Sequence, residues 1–257
     1  MPTDKTADKP WLAQYNQGVP ETLAPYPKLT ILDYLKKAAS ISPNAKALIY
    51  RNSSVKQSNN QKHYGHMTYG ELEKLSSIFC KTLVGGGIIK GDRVLLIMPP
   101  NTWQFVVAQF GVWKAGAIVV PLNPLYTAEE FLKIIPQFKA KLAVIFTPLF
   151  VKIFRKIRRE VCLDKIILAD IGGFITPFKQ KMAKIISYLT KNKADLYFDK
   201  LFEKYADNNP LNNTISVGPD DPAVILMTGG TTGKPKGAVG LHRSLVISGL
   251  QLQAWLK

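Results

Sequence analysis

Five short apolar runs constrain this chain most: Arg93–Met98, Ala117–Pro121, Leu142–Phe146, Lys165–Ala169 and Asp221–Met227. Their cores are Val, Ile, Leu and Ala with little polar alternation, so both faces need cover, as in a buried parallel strand. Three intervening stretches, Thr102–Ala115, Thr127–Phe138 and Phe150–Arg159, carry apolar residues at helical spacing. Parallel strands need crossovers of that length. The β-α-β rhythm therefore predicts a layered α/β fold with a mostly parallel sheet.

Upstream, Leu29–Ser40 reads as a helix capped by Thr30, and Ala47–Tyr50 and Met67–Tyr69 as short strands. Thr68 and Glu71 have capping-box spacing. They start a helix with Leu72, Leu75, Ile78, Phe79 and Leu83 on one face, stopped by Gly85–Gly87. Residues 1–28, with Trp11, Tyr15 and Tyr26, read as an extended lead-in lying on the body. Residues 29–257 read as one domain with a basic insertion at about 172–204.

Lys and Arg number 34 against 18 Asp and Glu, a formal charge of +16. Such a field favours polyanions: nucleotides, phosphates or anionic lipid surfaces. Lys152–Lys204 holds thirteen Lys or Arg against six Asp or Glu. Within it, Lys179–Lys193 is amphipathic, with Met182, Ile185, Ile186 and Leu189 on one side, which suits an anionic membrane face. No nucleic acid is expected, since the basic residues lack an interleaved aromatic platform. Cys80 and Cys162 both sit in apolar surroundings and read as reduced core thiols, consistent with a cytoplasmic protein. With no Cys/His cluster, a zinc site is not expected. Met1–Lys9 is polar rather than a signal sequence, and no apolar run is long enough to span a bilayer. Membrane contact would be peripheral, at the inner face.

The segment Thr228–Gly237, Thr-Gly-Gly-Thr-Thr-Gly-Lys-Pro-Lys-Gly, follows an apolar run and precedes the short apolar Ala238–Leu241. A helix begins near His242 or Arg243. The glycines let several N–H groups converge on one anion. The threonines supply hydroxyls that also suit magnesium. Lys234 and Lys236 supply charge for phosphate oxygens, and Pro235 stiffens the turn between them. This is not the P-loop of ATPases: Gly229 and Gly233 are separated by only three residues, and Pro235 follows Lys234.

The loop TGGTTGKPKG resembles the signature loop of the adenylate-forming superfamily of AMP-dependent synthetases and ligases. TYGELEKLSSIFCKTL, the stretch from GDRVLLIMPP to PLNPLYTAEE, and LHRSLV resemble the family in order and spacing. WLAQYNQGVPETL and the basic segment resemble bacterial long-chain fatty-acid CoA ligases. Two positions depart from the pattern: Met227 stands where Tyr is common, and Leu241 where Ser or Thr is common.

The resemblance implies the N-terminal part of the acyl-CoA synthetase fold, with ATP, Mg2+ and coenzyme A as cofactors and co-substrate and a fatty acid as substrate. It implies phosphate contacts from Thr228, Gly229, Gly230, Thr231, Thr232, Gly233, Lys234, Lys236 and Gly237, with Thr231 on magnesium. His242 matches a family histidine near the acyl-adenylate, and Arg243 a structural or capping position. Tyr69, Asn101, Pro121, Asn123 and Pro124 match as architecture. The family's C-terminal catalytic-lysine domain has no counterpart here, so the chain reads as a fragment, inactive alone, with its last helix lacking its usual sheet neighbours. Oligomeric state stays open, with a homodimer as one form. The alternatives are a peripheral membrane or polyanion-binding module and a non-catalytic nucleotide-binding module.

Overall fold

The computed structural model describes residues 9–51, 64–170, 196–204, 215–228 and 236–256. Helix α1 (Ile31–Ile41) is held by a capping box between Thr30 and Asp33. Strands β1 (Lys46–Arg51) and β2 (Tyr64–Thr68) form a two-stranded antiparallel sheet. Helix α2 (Tyr69–Gly85) starts at the predicted box: the Thr68 amide donates to Glu71 Oε2 at 2.7 Å, and the Glu71 amide to Thr68 Oγ1 at 3.2 Å.

The main sheet is built from β3 (Arg93–Ile97), β4 (Ile118–Pro121), β5 (Leu142–Phe146), β6 (Lys165–Ala169), β7 (Leu196–Tyr197), β8 (Pro222–Thr228) and β9 (Lys236–Leu241). Its order is β7-β6-β5-β3-β4-β8-β9, all parallel except β8 with β9. Helix α3 (Trp103–Lys114) follows β3, and α4 (Ala128–Phe138) follows β4. After β5 comes α5, made of Thr147–Leu149, a π-helical turn Phe150–Phe154 and Arg155–Ile157. It begins three residues before the predicted start, since Pro148 fits a first helical turn. Helices α6 (Phe198–Lys204) and α7 (His242–Trp255) complete the described set.

Two cores flank the sheet, as runs apolar on both faces require. On one side, Val94, Leu96 and Val144 meet α2, α3 and α6 through Phe79, Val112 and Phe198. On the other, Leu95, Ile97 and Ile145 meet α4 and α5 through Phe131, Ile135 and Phe154. Basic side chains lock the edge where the parallel strands begin. Arg93 donates to the Phe138 and Lys139 carbonyls at the end of α4, Lys165 to Gly86 O at the end of α2, and Lys141 to buried Asp92 at 2.9 Å. Part of the positive charge is thus structural.

Three expectations change. Cys162 is exposed rather than part of the core, because its hydrophobic neighbours Val161 and Leu163 turn inward ahead of β6. β8 is covered only in its first half: Leu226 is 52% exposed and Thr228 is exposed, because its outer neighbour β9 brings glycines instead of large side chains. The lead-in is not extended throughout but includes a 3-10 turn, Pro10–Gln14. Leu245 joins the core of α2 and α3, and Trp255 packs edge-on against Tyr15 at 5.2 Å. The basic helix Lys179–Lys193 lies outside the described residues. No described helix is long and apolar enough to cross a membrane.

Burial raises the Cys80 thiol to about 11, which suppresses the reactive thiolate. A thiol reagent such as DTNB is therefore expected to titrate one cysteine, Cys162, in the native protein, and both after denaturation. Two fast thiols in native protein would contradict the packing around Cys80.

Candidate nucleotide site

The carboxyl ends of β3, β4, β5 and β8 lie along one edge of the sheet. The chain leaves β3 for the α3 side and β4 for the opposite, α4 side. Diverging connections open a crevice beyond the carboxyl ends, where open α/β sheets bind ligands. The glycine-threonine loop joins β8 to β9 at this edge. Gly229, Gly230, Thr231, Thr232, Gly233 and Lys234 lie outside the described residues, as does Pro235. Thr228, Lys236 and Gly237 are described and form the base of the loop.

That base is an antiparallel hairpin end. Thr228 pairs with Lys236 and Met227 with Gly237, and Thr228 Oγ1 donates to the Lys236 carbonyl at 3.1 Å. The Thr228 hydroxyl proton is thereby occupied in closing the hairpin, while the Lys236 side chain is exposed. Gly237 has a packing reason for lacking a side chain. A Cβ there would lie 2.7 Å from Ile225 Cγ2 and close to the Phe138 ring. The hairpin can therefore sit tightly over the α4 side only with glycine at this position.

Carrying the Val119–Val224 register forward sets the turn after β4 beside the base of the loop. This turn is built by Asn123, whose Oδ1 accepts from the Leu125 amide at 3.0 Å, as an Asx turn does. The α3 N-terminus faces the same edge. Its cap is Thr102, whose Oγ1 accepts from the Phe105 amide and donates to Pro99 O. Its first turn carries no acidic residue, so its partial positive charge adds to a field favouring anions. By contrast, α4 opens with Glu129 and Glu130, and Glu130 is held below the usual carboxylate range by the Thr127 amide and hydroxyl.

His242 is not brought to this edge. It follows β9 at the end opposite the loop, where Leu241 pairs with Pro222. From Lys236 that is six residues, about 20 Å along an extended strand. Its ring is 1% exposed and packs edge-on against Trp113 at 5.8 Å. Its amide donates to Asp221 O at 3.1 Å, while Nδ1 is buried with no hydrogen-bond partner among the described residues. Burial pushes its pKa down, against the opposing pull of Asp221 and Asp33. Here the histidine joins β9 and α7 to the core. Arg243 has a similar architectural place, with its amide on Pro219 O and its guanidinium 2.8 Å from Asp220.

Magnesium chemistry fits the donor set of the loop in kind: hydroxyls and, once bound, phosphate oxygens. Among the described residues no three His, Cys, Asp or Glu side chains converge as a metal cluster.

Sequence reasoning missed the closing hairpin. Its signals were the two glycines Gly237 and Gly240, whose positions let β9 lie against Ile225 and Val224.

Residues 35–256 match the AMP-binding enzyme family. The chain is 28% identical to a long-chain-fatty-acid–CoA ligase of Bacillus subtilis over 97% of its length and 43% of the relative's. It is 30% identical to the corresponding ligase of Yersinia pestis, covering 93% of this chain and 41% of that protein. It thus spans about two fifths of the length of these curated relatives. Its fold is similar to part of a long-chain-fatty-acid-CoA ligase from Archaeoglobus fulgidus, with TM-score 0.68 at 22% identity, over 94% of this chain and 42% of that one. An anthranilate CoA ligase bound to anthranoyl-AMP gives TM-score 0.64 at 20% identity, over 84% and 35%.

Proposed function

Because this chain belongs to the family of AMP-binding enzymes, the adenylate-forming ligases, we propose that its glycine-threonine loop holds the triphosphate of ATP for activation of a long-chain fatty acid. The observation that supports this reading is the position of the two residues that anchor the loop, Thr228 and Lys236. These anchors lie at the carboxyl end of β8, on the edge where the β3 and β4 connections diverge and where the α3 N-terminus adds its field. Similarity to long-chain fatty-acid ligases supports the choice of acid.

In the proposed reaction the fatty carboxylate attacks the α-phosphorus of ATP and pyrophosphate leaves, giving acyl-AMP. The thiol of coenzyme A then displaces AMP. Negative charge grows on the phosphates in the first step. Backbone amides of Gly229, Gly230 and Gly233 and the hydroxyls of Thr231 and Thr232 would donate to it, and Lys234 and Lys236 would neutralise it. Bound magnesium would supply further neutralisation of the phosphate charge. Thr228 and Gly237 would act indirectly, by keeping the hairpin closed at the right height. His242, at the far end of β9, would contribute packing.

The test is ATP binding by calorimetry with this chain and its Lys236→Ala variant. Loss of one charge-assisted contact is expected to weaken binding roughly 10- to 100-fold. Lys236 is exposed, so the thermal midpoint should hold. Unchanged ATP affinity in the variant, or failure of the unaltered chain to bind ATP, would overturn the role given to the loop.

A further inference from the structure

A cleft lies between the lead-in and the end of α7, formed by residues 15–26 and 251–255, and no step of the proposed reaction uses it. Its cavity volume is about 170 Å³, partly open to solvent, which leaves room for one small organic ion rather than a drug-sized ligand. Three aromatic residues line it: Tyr15, Tyr26 and Trp255. The Tyr15 and Trp255 rings lie 5.2 Å apart with planes 67° from parallel, so they form a corner rather than a closed stack. Tyr26 and Trp255 keep 38% and 44% of their surfaces exposed. Glu21 is the one charged residue among those lining the cleft.

Aromatic faces are negative and attract cations, most strongly those that are weakly hydrated. A carboxylate lining the same cleft adds charge of the same sign. An anion would be repelled by both. A neutral apolar ligand would gain the ring contacts but nothing from Glu21. The sign is also local, since it opposes the +16 of the whole chain. We infer that this cleft binds a small alkylammonium ion, with the cation against Tyr15, Tyr26 and Trp255 and its charge balanced by Glu21.

The experiment uses choline as the cationic probe and 3,3-dimethylbutan-1-ol as its neutral isostere. The readout is the indole N–H resonance of Trp255, assigned by its loss in Trp255→Phe. Choline is expected to shift that resonance saturably with a dissociation constant of about 1–10 mM, and Glu21→Gln to weaken it about fivefold or more. Tyr26→Ala should weaken it as well, with an unchanged thermal midpoint, since both side chains are exposed. No saturable shift with choline, equal affinity for the neutral alcohol, or full affinity in Glu21→Gln would each overturn the assignment. ATP binding is independent of this cleft, so these outcomes leave the loop reading untouched.

Discussion

Gly111→Val is expected to abolish most of the stability of the domain, and Gly111→Ala to lower it by about 1–3 kcal/mol, as overpacking of a tight core does. Gly111 lies on α3 where it crosses α2. A Cβ there would sit 2.7 Å from Phe79 Cδ1, 2.9 Å from Phe79 Cβ and 3.0 Å from the Ser76 carbonyl. None of these can withdraw cheaply. Ser76 O is helix backbone, and Phe79 is fully buried with its ring against Phe198 at 5.1 Å. Valine adds three carbons to a position without room for one, so its cost should exceed about 4 kcal/mol, in the range reserved for severe core lesions. Gly85→Ala is the control. It ends α2 with nothing within 4 Å of an added methyl, so it should be neutral or slightly stabilising. Urea unfolding followed by circular dichroism separates these outcomes. Equal midpoints for Gly111→Ala and Gly85→Ala would mean that α2 and α3 do not cross at this distance.

The second large effect is a loss of stability in mild acid that runs through His242. Burial disfavours its imidazolium, and Lys90 adds to that. Asp221 and Asp33 oppose it without reversing the shift. Its position in the first turn of α7 also sets an imidazolium against the positive end of the helix. In the unfolded chain the ring takes up its proton near pH 6.5, and in the folded chain only at lower pH. Between those values the unfolded state binds more protons, so stability falls as pH falls. The contribution is fully present above about pH 7.5 and is lost downward through 6.5, with a limiting slope of about 1.4 kcal/mol per pH unit. His242→Gln should lack this slope. Urea midpoints measured from about pH 7.5 to 5.5 provide the comparison. Parallel curves for the two proteins would mean that the ring is not held neutral in the core.

The local code of the elements was legible. Thr30, Thr68, Thr102 and Thr127 cap the helices they precede, and three of them form full capping boxes with Asp33, Glu71 and Glu130. Such interactions span three residues, so the Thr30 and Thr68 caps and the Thr68–Glu71 box were read from spacing, whereas the Thr102 cap and the boxes with Asp33 and Glu130 emerged only in the structure. The strands Arg93–Ile97 and Leu142–Phe146 were legible because uninterrupted Val, Ile and Leu require cover on both faces. Less legible was α6: Phe198, Leu201 and Phe202 are separated by too few turns to announce a helix, and what holds them is the distant Phe79 and Trp103. Cys162 was misread for a related reason. Apolar neighbours in the chain do not say which way a turn residue points.

The chemistry of the loop also belongs to the sequence. Glycine, threonine and lysine in that order are the basis of the phosphate-binding proposal, because consecutive residues carry the donors. Where the loop stands was decided by the tertiary structure. Strand order puts β8 beside β4, and the return of β9 directs the loop to the carboxyl edge and His242 to the opposite one. Strand order depends on contacts between residues more than a hundred positions apart, such as Trp113 Nε1 donating to Ala223 O at 2.8 Å. No periodicity within either segment encodes such a pairing, since it exists only once both helical layers have packed onto the sheet.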